Sequence, residues 1–260
     1  MTASGSAILT GSVSQTWVYG NAYVPNGPTT GSHQTGTTYS SSRSSALLTS
    51  SGNYQAFAPP TYDQYDVTEF VNVKTVSGYP VYGDGQTDDT VNINYIASAY
   101  ADCKILFFPA GTYIVTDTIF FPAGSRVVGE AWSAISATGN NFYNPSAPVP
   151  MVKVGNSGDT GVAQFSDFLF TVADVLQGAD NTTVGCHVAD RSGCTLLEVN
   201  IAGSNPGDVG FWNTHFRVGG AAGSKVETNC GGAPDTCKAA YMLLHLTSTS
   251  SAYVENMWGK

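Results

Sequence analysis

The chain is poor in charge. Only 11% of its 260 residues are Asp, Glu, Lys or Arg, less than half of the roughly 25% usual in soluble domains. Coiled coils and helical bundles need charged outer faces, so this composition argues against them. Basic residues are the scarcest: 10 Lys and Arg stand against 19 Asp and Glu, for a formal charge of −9. Nucleic-acid binding by counterion release needs clusters of Lys and Arg, and none occurs, so no nucleic-acid partner is expected. Anionic membranes and strongly acidic polysaccharides are disfavoured too, because like charges repel at long range. A neutral polysaccharide is the large partner that such a surface accommodates most easily. No apolar run reaches the ~18 residues of a membrane span. The N-terminus, MTASGSAILTGSVSQ, lacks a basic n-region and a long apolar h-region, so it does not read as a signal peptide. GxSxG, HExxH and P-loop motifs are also missing, and no cofactor is expected.

Cysteine is sparse as well, with five residues. No C-x2-C pair exists to hold a metal, so no metal site is expected. Cys230 and Cys237 bracket the loop GGAPDT, a spacing that suits a disulfide. Cys186 and Cys194 bracket HVADRSG in the same way. Cys103 precedes the apolar run ILFF and reads as a buried free thiol. Asn181-Thr182-Thr183 is a glycosylation sequon. Disulfides and a sequon together point weakly to a secreted parent protein.

What is present falls into two textures. Residues 1–60 contain no Asp, Glu or Lys and are rich in Gly, Ser, Thr and Tyr. They read as a connector that buries little apolar area alone. Residues 61–260 form the second region, with the boundary near Pro59-Pro60. There GDGQTDDT at 83–90 leads into a short helix, with Thr87 as N-cap and Asp88 and Asp89 in its first turn. Ile93, Ile96, Ala97 and Tyr100 recur at helical spacing.

Beyond Lys104 the signals are almost all strand: ILFF, TYIV, TIFF, RVV, MVKV, FLFTV, VGCHV, LLEVNIA, FWNTHFRV, YMLLHL and AYVENMW. The connectors are too short for crossover helices. Some runs recur at roughly 22 residues, close to one coil of a solenoid. That spacing suits an all-β parallel β-helix, with a β-sandwich as the alternative. The chain stops on strand texture without a polar cap, so it reads as an incomplete solenoid.

In combination, several stretches are specific. They are FVNVK and YGDGQTDDT at 70–90, CKILFFPAGTYIVTDTIFFPAGSRVVGEAWSAI at 103–135 and VKVGNSGDTGVAQFSDFLFT at 152–171. GFWNTHFRVGGAAG at 210–223, CKAAYMLLHLT at 237–247 and SSAYVENMWG at 250–259 follow. In this order they resemble fungal glycoside hydrolase family 55, the exo-β-1,3-glucanases. The resemblance implies two right-handed, pectate-lyase-like β-helices with the active site in a cleft between them. It implies an extracellular enzyme that hydrolyses β-1,3-glucan with inversion. This chain matches the connector and the first part of the second β-helix. The first β-helix domain would be missing, and the family's general acid would lie further along the second. The resemblance therefore implies a non-catalytic piece that at most binds glucan. A pectate-lyase-like polysaccharide enzyme is a further alternative.

The residues themselves offer few candidates. Asp84, Asp88 and Asp89 could pass for a Ca²⁺ site, but turn and cap geometry already explains them. Glu130, just before Trp132, is the candidate acid beside a sugar platform; the plainer reading pairs it with a backbone or basic group at a coil corner. His215 and Arg217 alternate along FWNTHFRV with Asn213, as for hydrogen bonds to sugar hydroxyls. A polar solvent-facing ladder is the plainer reading. The family resemblance implies Trp258 and Tyr253 as sugar-stacking residues. Trp212 and His245 read as core.

Overall fold

A computed structural model describes residues 2–3, 6–7, 17–23, 29–38, 44–173, 192–219 and 239–260. Cys186, Cys230, Cys237 and Asn181 lie outside these residues. Two compact units emerge, Met1–Ala56 and Phe57–Lys260.

In the first unit, β1 (Thr2–Ala3) pairs antiparallel with β2 (Ser6–Ala7), and β3 (Trp17–Ala22) pairs antiparallel with β4 (Ser32–Thr38). The larger unit is mostly strand, in parallel sheets, with one α-helix among the described residues. It opens with β5 (Phe70–Asn72), β6 (Asp84–Asp88) and α1 (Thr90–Tyr100). There follow β7 (Ile105–Phe107), β8 (Gly111–Val115), β9 (Ile119–Phe121), the long β10 (Ser125–Ala137) and β11 (Val149–Val154). Then come β12 (Ala163–Val172), β13 (Cys194–Val199), β14 (Val209–Trp212), β15 (His215–Arg217) and β16 (Met242–Leu246). β17 (Tyr253–Glu255) and β18 (Trp258–Gly259) complete the order.

The pairing falls into three parallel ladders that the chain visits in rotation. The first joins β5, β7, the start of β10, the start of β12, β14 and β17. The second joins β6, β8, the ends of β10 and β12, β15 and β18. The third joins β9, β11, β13 and β16. Stacking in register puts like beside like. Val71, Leu106, Val127, Phe165, Phe211 and Val254 form one inward row. The Phe165 and Phe211 rings stack at 5.3 Å, and Phe170 meets Phe216 at 5.6 Å. Between ladders the rings of Phe121 and Phe165 meet edge to face at 5.1 Å. Such aromatic pairs add to the burial energy of the row.

Helix α1 occupies the third-ladder place in the first turn. Its Ile93, Ile96 and Ala97 are fully buried. Asn94 Nδ2 donates to the Thr118 carbonyl at 2.8 Å, and its Oδ1 accepts from Phe120 N–H at 2.7 Å. One side-chain amide thus supplies both groups that a neighbouring strand would offer to β9.

The helix begins two residues later than Thr87 as its N-cap would place it, at Thr90. Asp84 accepts from the N–H groups of Gln86 and Thr87 and from Thr87 Oγ1, which keeps 84–88 extended beside β8. Thr87 therefore belongs to β6. Asp88 caps α1 from one residue further out, accepting from Thr90 N–H at 3.0 Å and also from Thr90 Oγ1 and Thr116 Oγ1. Asp89 is fully buried and turns back to the N–H groups of Tyr82 and Gly83.

One cysteine expectation changes. Cys103 is exposed, because it lies in the turn after α1. Cys194 is a buried free thiol among the described residues, at the start of β13, and its expected partner Cys186 lies outside them; burial pushes that thiol far up from its ordinary value.

A strap of residues 57–70 crosses the outer side of the first ladder. The Phe57 ring meets Tyr253 edge-on at 5.2 Å, and its carbonyl accepts from Trp212 Nε1 at 2.8 Å. Tyr62 OH donates to Gln164 Oε1 at 3.1 Å, and Arg126 lies over Tyr65. Residues 57–60 thus belong with the coils, four residues before the expected boundary. Trp212 is buried as expected, but on the outer side of its strand under this strap. Its ring folds over Gly210, where a Cβ would lie 2.1 Å from the indole.

Candidate functional site

The corner between the first and second ladders carries most of the candidate residues. Asp167, Asn213 and Asn256 occupy it on successive coils, each with a positive φ between 51° and 63°. Asn and Asp tolerate that left-handed region better than other non-glycine residues. Asn256 Nδ2 donates to Asn213 Oδ1 at 2.7 Å, and Asn213 Nδ2 donates to Asp167 Oδ1 at 3.0 Å. The left-handed turn at Asn213 takes it out of the alternation that would group it with His215 and Arg217.

On β10 the same corner is longer. Residues 129–132 intervene where β10 and β12 lose register, between Val128 and Ser133. Gly129 is required here, since a Cβ would lie 2.2 Å from the Asp167 carbonyl. Ala131 adopts a φ of 61°. Trp132 is left 79% exposed. Glu130 Oε2 accepts from Ala110 N–H at 2.8 Å, while its own N–H donates to Ser133 Oγ. Ser133 Oγ donates in turn to the Phe108 carbonyl, Tyr113 OH to the Pro109 carbonyl and Lys74 Nζ to the Ala110 carbonyl. Burial, reinforced by the charges of Asp89 and Glu130, pushes the Tyr113 phenol well up, so it stays a donor. Glu130 is one member of a clamp on the 108–110 turn.

Further along the second ladder, His215 and Trp258 are register partners with ring centroids 4.9 Å apart. Trp258 is half-exposed and Arg217 is exposed two residues beyond His215. Arg217 Nε donates to the Gly219 carbonyl at 3.3 Å. His215 Nδ1 and Thr214 Oγ1 are buried without a protein partner among the described residues. The structure therefore brings His215, Arg217 and Trp258 together and sets Glu130 apart. His215 lies two strand spacings from the Glu130 coil and Trp258 three, about 10 and 14 Å. Sequence reasoning missed the corner row, because nothing local marks Asp167, Asn213 and Asn256 as stacked; only the coil-to-coil register does.

His245 is not core. It lies on the outer side of β16, where its Nδ1 is 3.0 Å from Glu198 Oε2. Lys153 and Phe120 continue that outer row, with Lys153 Nζ 5.8 Å from the Phe120 centroid. Tyr253 OH donates to Glu255 and shares the Phe57 contact, so it serves the strap; that hydrogen bond raises its phenol.

A glucan endo-1,3-beta-glucosidase of Trichoderma harzianum is 39% identical over 248 residues, covering 94% of this chain and 30% of the relative. A glucan 1,3-beta-glucosidase of Cochliobolus carbonum is 33% identical over 265 residues, covering 98% of this chain and 31% of the relative. A non-secreted LysM effector of Penicillium expansum is 38% identical over 205 residues, covering 76% of this chain and 13% of the relative. The chain thus spans less than a third of the length of these relatives. The family described as rhamnogalacturonase A/epimerase, pectate lyase-like, matches residues 70–205, which take in β5 to β13 and the Glu130 corner. That match covers more than half of the sequence, and the chain belongs to this pectate lyase-like family.

Proposed function

We propose that the chain is part of a β-1,3-glucan hydrolase and contacts glucan without cleaving it alone. The observation that carries this is the 39% and 33% identity to two relatives named for β-1,3-glucan, across 94% and 98% of this chain respectively. The three ladders visited in rotation fit a right-handed parallel β-helix, with α1 capping its first turn. His215, Arg217 and Trp258 form the glucan-contacting surface on the second ladder, and Trp132 with Glu130 forms its neighbour. Inverting hydrolysis needs one carboxyl as acid and another as base, about 6.5–9.5 Å apart with room for water. Glu130 is committed to the 108–110 turn and Asp167 to Asn213. Each is already held by a structural contact, and this reading takes the acid and the water-holding groups from other parts of a full-length enzyme, including a first β-helix domain. Its place of action is outside the cell, where glucan is met.

A pectate-lyase-like activity on an acidic polymer is the competing reading, favoured by the family match and opposed by the charge of −9. The test is incubation with laminarin and polygalacturonate, with product analysis and a binding assay on the same sample. Laminarin binding without release is expected. Release above a heat-killed control that Glu130→Gln abolishes would make Glu130 catalytic and overturn the binding-only reading. Cleavage of polygalacturonate would overturn the substrate.

A further inference from the structure

The β3–β4 pair presents its side chains the wrong way round for a buried sheet. Trp17, Tyr19 and Asn21 alternate onto one face of β3, joined by His33 and Thr35 of β4; Tyr23 follows at the same parity. This is the more exposed face: Tyr19 is 50% and Tyr23 65% exposed. Val18, Gly20, Ala22 and Gln34, on the other face, are half-buried. An ordinary two-faced strand puts its large apolar groups on the covered side. Here the small groups are covered and the aromatics face out, and exposed aromatic patches of this kind mark binding sites.

The patch is also flat. A Cβ at Gly36 would fall 3.2, 3.2 and 3.5 Å from three atoms of the Trp17 indole, so that ring lies across the glycine. Gly36 has a φ of +91° and sits where β4 slips register against β3. The Tyr19 ring lies within 16° of parallel to Trp17, with centroids 5.9 Å apart. Tyr23 repeats the device over Gly31, where a Cβ would fall 2.8 Å from its ring. His33 stands edge-on to Tyr19, and its Nδ1 is 3.2 Å from Asn21 Oδ1. Gly36 in β4 and Gly31 just before it thus let Trp17 and Tyr23 lie down across them, with an amide and an imidazole between the rings. From residue 17 to residue 23 the row spans about 20 Å.

We propose that this face binds a neutral β-glucan, independently of the coil surface. β-Linked glucose carries its hydroxyls around the ring edge and leaves two C–H faces, which pack on the negative face of an aromatic ring. Asn21 and His33 supply hydrogen bonds for those edge hydroxyls. The surrounding chain suits an uncharged ligand, because residues 1–60 hold no Asp, Glu or Lys. The choice of glucan rests on the proposed function above.

The test is affinity electrophoresis of the full chain in gels containing laminarin, with Trp17→Ala, Tyr19→Ala and Tyr23→Ala compared with His215→Ala/Trp258→Ala. Each hairpin variant should weaken retention about tenfold, as expected of an aromatic anchor. Tyr19→Ala and Tyr23→Ala remove exposed rings, so they stand as controls if Trp17→Ala loosens the pair. Full retention in all three, with loss in His215→Ala/Trp258→Ala, would overturn this inference and leave the proposed function standing. No retention of the wild-type chain would overturn both. Self-association that the hairpin variants abolish, in a chain that laminarin does not retain, would assign the face to a second copy instead.

Discussion

The turn that holds α1 and the turn that holds β16 and β17 treat their edges differently. At the first, β9 meets α1, and Asn94 satisfies both backbone groups that the missing strand would have paired. Ile93 and Ile96 are fully buried beneath it. At the other, β16 and β17 carry Met242, Leu246 and Val254, between 38% and 46% exposed. The same inward rows run through both ends, so the difference is not one of side-chain type. A sealed edge needs a donor, an acceptor and an apolar lid together, and α1 provides all three in eleven residues.

The largest test of this contrast removes apolar volume at each end. Ile96→Ala should cost about 2–5 kcal/mol, as in other fully buried sites. Leu246→Ala, at a half-exposed position, should cost under about 1 kcal/mol. Equal losses in chemical denaturation would erase the distinction. Next comes the edge itself. Asn94→Ala leaves the Thr118 carbonyl and the Phe120 N–H unpaired and should cost about 1–3 kcal/mol. Exchange of the Phe120 amide should also accelerate; unchanged exchange would show that the side chain does not seal β9.

The smallest effect concerns acid. Burial is the largest single influence on Asp88 and pushes it up, but hydrogen bonds from Thr116 and Thr90 outweigh it and hold the carboxyl below its ordinary value. Its contribution is therefore present above the unfolded value and is lost as pH falls through the lower folded one. Asp89 runs the other way, raised chiefly by burial, so its contribution is present at low pH and lost as pH rises through its folded value. Melting temperature should fall below about pH 4, and Asp88→Asn should flatten that fall. An unchanged acid slope in the variant would remove Asp88 from the seal.

Much of this end is legible in the sequence. The helical spacing of Ile93, Ile96 and Ala97 matched the buried face of α1, and most strand runs fall on strands, although VGCHV lies outside the described residues. Thr87 misled because Ser, Thr and Asp cap helices by the same chemistry that closes turns; Asp84 took Thr87 for a turn and Asp88 became the cap. Trp212 was legible as buried but not as outward, since its cover comes from Phe57, 155 positions away. His245 sits in an apolar run, yet Glu198 meets it across a ladder with no local signature. The plainer reading of Glu130, a backbone or basic partner at a corner, left two partners open, and Ala110 N–H is the one that meets it.

The strap over the first ladder has a consequence for the order of folding. Its contacts join Tyr62 to Gln164 and Phe57 to Trp212, separations of 102 and 155 residues. Neighbouring coils close loops of a few tens of residues, whereas the strap finds its seat only after several coils have stacked. Closing such long loops carries an entropy cost that local pairing avoids, and contacts of high sequence separation slow folding. Strap residues should therefore be unstructured in the transition state, so that loosening Phe57 speeds unfolding and leaves the folding rate nearly unchanged.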